Sequence, residues 1–211
     1  MNGRKVLLAM TCCIAFSVKA DDVDPALLRI DPDKHQIEVD FYSKDTGAPR
    51  DVAVAEMDRQ QFALEGIEAL RREFEDRLAG LYWTHYPNQA IHLRLTGATS
   101  VAPRTIETVA GDVPVVFTLG ARMTAVEQRS RLRESWSALR VMVPGLIGAG
   151  VDERDGVVLI DARSPDGDPA PYESERANIE RALGMPVRFS VINAVKEREI
   201  QESAELLSSG S

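Results

Sequence analysis

Metal coordination by His85 and His92 is the first chemistry the sequence suggests, since each side chain offers an imidazole and the two fall on neighbouring predicted strands. A protein-held metal usually takes about four ligands, and no third ligand with suitable spacing accompanies them. The pair reads as surface or edge histidines. Asp152, Glu153 and Asp155 resemble a fragment of a calcium loop. They lack the roughly twelve-residue ligand alternation and its terminal acid, so they read as a solvated turn. Asp166-Gly167-Asp168 reads as a polar loop among prolines. A serine nucleophile needs a placed base and an orienting acid. Ser130 and Ser135 lie in a helical stretch, and no Gly-x-Ser-x-Gly elbow occurs. No catalytic residue, metal or cofactor is therefore assigned, and an enzyme working through carboxylates alone is the only catalytic reading left. Trp83 and Trp136 are flat enough to serve a sugar or a peptide. Trp136 falls on the inner stripe of a helix and reads as core. Trp83, on an aromatic strand and opposite Tyr82 and Tyr86 by alternation, is kept as a binding candidate.

The elements that would position these residues sit behind an export signal. Arg4 and Lys5 precede an apolar run from Leu7 to Val18, and Val18-Lys19-Ala20 ends it with small residues at the cleavage positions. The run is about twelve residues, too short for the roughly 20 of a membrane span. A lipoprotein site at Cys12 or Cys13 is the rival, but Met10 and Thr11 are poor residues to precede it. Cleavage after Ala20 would remove both cysteines and three basic residues. The 25 basic residues fall to 22 against 33 acidic ones, so the charge moves from −8 to −11. The mature chain would have neither disulfide nor thiol, and a periplasmic or secreted location follows. This acidity argues against a partner that is nucleic acid, which needs a basic face. No membrane partner is expected after cleavage. A hydrophobic share of 44% supports a packed core.

Residues 21–54 read as a polar, partly disordered leader, with Ile37-Glu-Val-Asp-Phe41 alternating as one strand would. Beyond it the chain repeats. In the first unit, 55–121, Leu64, Ile67, Leu70, Phe74 and Leu78 mark one face of a long helix over 55–79, with Gly80 as its C-cap. Two strands over 81–86 and 90–95, a short helix over 105–110 and a strand over 113–119 follow. In the second unit, 122–195, Thr124-Ala-Val-Glu127 is a capping box. Leu132, Trp136, Leu139 and Val143 form the helix stripe, and Asp155-Gly156 turns a hairpin. A short helix over 174–183 leads to a last strand. Val113-Pro-Val-Val-Phe-Thr-Leu119 parallels Met185-Pro-Val-Arg-Phe-Ser-Val191. The fold class is α+β, two tandem α-β-β-α-β units, each a three-stranded sheet with helices on one face. Residues 196–211 read as a helical tail or linker. On the last strand Val187, Phe189 and Val191 would face the helices. Arg188, Ser190 and Ile192 would face out as binding candidates.

The stretches Phe74-Glu-Asp-Arg-Leu-Ala-Gly-Leu-Tyr-Trp83, Gly150-Val-Asp-Glu-Arg-Asp-Gly-Val-Val-Leu-Ile-Asp161 and Gly184-Met-Pro-Val-Arg-Phe189 together carry a resemblance. Over residues 55–195 the chain resembles the pro-regions of alpha-lytic protease and the streptogrisins, without the protease domain. The 211 residues hold no Gly-Asp-Ser-Gly nucleophile motif. The resemblance implies an exported, non-enzymatic protein that binds an extracytoplasmic serine protease as inhibitor or folding chaperone. The alternative is a periplasmic interaction or ligand-binding module unrelated to proteases.

Overall fold

The computed structural model describes Arg29–Asn193. The expected signal segment over 1–20, the start of the expected leader and the expected tail over 196–211 lie outside the described residues. The fold is α+β, with elements in the order α1 (Gln36–Thr46), α2 (Arg50–Phe62), α3 (Leu64–Glu73), β1 (Leu78–Thr84), β2 (Ala90–Thr96), β3 (Arg104–Ile106), β4 (Val113–Ala121), α4 (Ala125–Glu134), α5 (Trp136–Met142), β5 (Leu146–Asp152), β6 (Val157–Ser164), α6 (Ala170–Leu183) and β7 (Val187–Asn193). Among the described residues no helix is long and apolar enough to cross a membrane.

Two sheets carry the repeat. The first is ordered β1-β2-β4-β3 and the second β5-β6-β7. In each, the opening pair is antiparallel and the next is parallel. Each opening strand has an irregularity at the same place, between Leu78 and Gly80 in β1 and between Leu146 and Gly148 in β5. The register therefore makes Gly80 equivalent to Gly148, Leu81 to Ala149, Leu93 to Ile160, and Phe117 to Phe189. Ile91, Leu93 and Leu95 are fully buried on one side of β2, with His92 and Arg94 on the other, as alternation requires. Each sheet closes its own core. Ile67, Leu70 and Phe74 cover the first; Leu139, Val143, Ile179 and Leu183 cover the second.

Several elements differ from the sequence expectation. Residues 36–46 form a helix rather than a strand or an extended leader. Ile37 and Phe41 are exposed while Val39 and Tyr42 pack toward α2, so a spacing of three prevails over the period of two. The long helix over 55–79 is two helices parting at Ala63, and it ends at Phe74. Leu78 and Gly80 belong to β1. Gly80 is a glycine for proximity, not as a C-cap: a Cβ there would lie 2.2 Å from the Glu153 carbonyl oxygen. The helix over 105–110 is instead β3, an edge strand on β4 whose Ile106 packs into the space above Gly66. The first unit thus lacks its second helix. In the second unit α6 begins at Ala170, earlier than the expected 174, with the Asp168 carboxylate accepting the Ala170 N–H at 2.9 Å. The capping box forms: Glu127 N–H donates to the Thr124 hydroxyl at 3.2 Å and Thr124 N–H to the Glu127 carboxylate at 2.7 Å.

Candidate protein-binding site

A strand at the edge of a sheet presents unpaired main-chain groups unless something covers them. In β1 the second unit covers them with side chains. Gln128 Nε2 donates to the Ala79 carbonyl at 3.1 Å, the Leu81 N–H donates to the Glu153 carboxylate at 3.0 Å, and an Arg154 N–H reaches the Trp83 carbonyl at 3.5 Å. Arg129 steadies Glu153 from 3.7 Å. The β5–β6 turn is therefore a tenon set into the first unit rather than the solvated turn the sequence suggests. Gly156, at φ +70°, lets the turn close with its N–H on the Asp152 carbonyl at 2.8 Å. The Arg94 guanidinium lies where a Cβ on Gly156 would be, and it donates to the Glu153 carbonyl at 3.1 Å. Arg154 stands 5.5 Å over the Tyr82 ring, which stacks on His92 with centroids 4.9 Å apart.

Among the described residues the equivalent edge of β5 has no such cover. Register equivalence directs the Ala149 N–H outward, as the Leu81 N–H is. No strand lies beyond β5 among the described residues. Beside that edge runs a groove of about 670 Å³, with Leu132, Trp136, Ala149 and Val151 as apolar lining and Arg129 and Arg133 along its side. Gly148 and Gly150 on the outer sheet face meet nothing within 4 Å of a would-be Cβ.

The other edge, β7, is half covered. Val158 N–H donates to the Pro186 carbonyl at 2.9 Å, so the main-chain groups of Val187 point away from β6. They end on side chains of α6: the Val187 N–H on Glu180 at 3.0 Å and its carbonyl on Arg176. By alternation the Phe189 and Val191 N–H and C=O groups also point outward, and no strand pairs there among the described residues.

The sequence-derived candidates fall in separate places. Arg188, Ser190 and Ile192 do lie on the outer face of β7, and all three are exposed. Arg188 is tied to the turn, 3.1 Å from Asp155 and 3.6 Å from Asp152. Trp83 is paired with Ile91 and packs along the first core, on the side away from Tyr82. It is not brought together with the other three. Leu132 and Trp136 were legible only as a core stripe; the groove they line needed the position of β5.

The two histidines are held apart by different partners. His92 Nε2 lies 3.1 Å from the Thr84 hydroxyl. His85 Nδ1 lies 2.7 Å from the Tyr42 hydroxyl, which donates to Glu56 at 2.9 Å and accepts from Gln60 Nε2 at 2.7 Å. With the hydroxyl proton given to Glu56, the His85 Nδ1 must carry the proton on its side. This network pins α1 and α2 to the end of β1. Burial, then the hydrogen bond to Glu56, holds the Tyr42 phenol well above its usual range. Burial lowers both histidines, His92 being lowered further by Arg154. Among the described residues no cluster of three or more His, Cys, Asp or Glu is arranged to hold a metal.

No family model matches the chain, and no curated protein matches it.

Proposed function

We propose that this chain is an exported protein-binding module that takes up an extended segment of its partner along the free edge of β5. The observation that carries this reading is the contrast between two equivalent strands. The β1 edge is closed by Gln128, Glu153 and Arg154. The β5 edge is open beside an apolar groove. Strand addition would supply main-chain hydrogen bonds, and the groove would take alternate side chains of the added segment. Leu132 and Trp136 would receive an apolar residue, and Arg129 and Arg133 would favour an acidic one. The outer-face residues Arg188, Ser190 and Ile192 would contribute where the partner wraps round the sheet.

The partner we propose is an extracytoplasmic serine protease, inhibited or helped to fold by contacts that stabilise its native or near-native state. The pro-region resemblance supports that choice. The test is capture of secreted serine proteases from the same cell by the chain and by Ala149→Pro, which removes an N–H that has no partner among the described residues and puts a proline ring on the edge in its place. Capture by the chain and at least a tenfold loss in the variant are expected. Failure to capture any such protease would sink the protease reading, and undiminished capture by the variant would sink the β5 edge.

A further inference from the structure

The second cleft of the molecule lies between the two units and has a different character. It encloses about 650 Å³, a size suited to a small molecule. One wall is Arg94 and the end of β4; the other comes from α4, the β5–β6 turn and α6. Three guanidinium groups line it: Arg94, Arg122 and Arg181. Among the described residues none of the three forms an ion pair with a carboxylate. Arg94 donates to a main-chain carbonyl and Arg181 to the Asn178 side-chain oxygen at 2.9 Å, while Arg122 meets no partner among the described residues. The two acids on the walls are engaged elsewhere. Asp155 pairs with Arg188 at 3.1 Å, and Glu180 accepts the Val187 N–H at 3.0 Å with Arg176 beside it. The cleft is thus cationic in a chain whose formal charge is −8. Such a local reversal concentrates anions.

A second observation concerns Gln128 on the cleft wall, which is only 2% exposed. Its Nε2 donates to two carbonyls, Ala79 at 3.1 Å and Met123 at 2.9 Å, so the amide cannot be turned over. Its Oε1 is left without a donor among the described residues. Buried acceptors are rarely left so. The oxygen is sealed from solvent, so a hydroxyl or N–H group reaches it only where the cleft wall gives way on binding.

We propose that the cleft between the units binds a compact dianion carrying hydroxyl groups, a phosphorylated sugar or polyol being the simplest form. The planar arginine forks match phosphate oxygens, and the Gln128 oxygen takes a hydroxyl proton once the wall over it shifts to admit the ligand. Because the walls come from both units, the ligand also ties one to the other.

Calorimetric titration at low salt with glucose 6-phosphate, inorganic phosphate and glucose tests this. Saturable one-site binding of glucose 6-phosphate is expected, tighter than inorganic phosphate, with no binding of glucose. The double variant Arg122→Ala/Arg181→Ala, both exposed side chains, should weaken it at least tenfold, about 1.4 kcal/mol. Arg72→Ala/Arg140→Ala, which changes the charge equally at exposed side chains outside this cleft, should leave it unchanged. The proposal is overturned by absence of saturable binding, by equal loss in both double variants, or by binding of glucose as tight as its phosphate. Equal affinity for inorganic phosphate would remove the Gln128 contact and with it the hydroxyl-bearing class.

Discussion

The two units share a strand plan and differ in what happens at the opening strand. In the first, β1 is sealed at its edge by three side chains and at its outer face by a turn. In the second, the same strand positions face a groove and open space. The first unit's strand edge is used up inside the chain, whereas the second unit's is available. The shared strand plan supplies two copies of one surface, and the copy left uncovered shows by comparison what a partner would have to provide. Such a partner needs a main-chain or carboxylate acceptor for the Ala149 N–H, in the place Glu153 fills for Leu81.

The largest effects should come from the equivalent core positions. Leu93→Ala and Ile160→Ala each remove a fully buried side chain, and each should cost about 2–5 kcal/mol in denaturant titration. A much smaller loss for one of them would break the equivalence of the two cores. Next comes a direct contrast of glycines. Gly80→Ala should cost about 1–3 kcal/mol, because its Cβ would strike the Glu153 carbonyl at 2.2 Å. Gly148→Ala, in the same register, should stay within about 0.5 kcal/mol. Equal effects would contradict the docking of the turn. Thr124→Ala removes a cap present only on the second unit's helix and should cost about 1 kcal/mol.

A smaller effect separates the units by pH. His85 and His92 both belong to the first unit, and burial holds their folded pKa values below the ordinary 6.5. The unfolded chain therefore binds more protons below that pH, and stability falls as pH drops through about 6.5 toward the folded values. Thermal melts at pH 8 and pH 5 should show this loss, and His85→Gln/His92→Gln should reduce it. An unchanged pH slope in the double variant would place the acid sensitivity elsewhere.

Much of the second unit was legible in the sequence. Its capping box, Asp-Gly turn and final strand are local signals, and each formed where its residues indicated; the stripe Leu132, Trp136, Leu139 and Val143, expected on one helix, is divided between α4 and α5, which part at Ser135. The first unit was read less well because tertiary contacts decide it. Residues 37–41 alternate like a strand, yet a helix over Gln36–Thr46 results because Val39 and Tyr42 can reach α2. Thr105 and Ile106 join an edge strand because β4 offers them a partner. Gly80 looks like a helix cap until the carbonyl packed against it is seen. The outward set Arg188, Ser190 and Ile192 followed from alternation alone. The groove did not, since Leu132 and Trp136 read as core; only the placement of β5 beside them shows a second, open side.

Amide hydrogen exchange on the free protein compares the two edges most directly, at Leu81 and at Ala149. The account predicts slow exchange at Leu81, whose N–H is held by Glu153, and fast exchange at Ala149, whose N–H faces the groove. Protection at Ala149 equal to that at Leu81, in the absence of any partner, would contradict it.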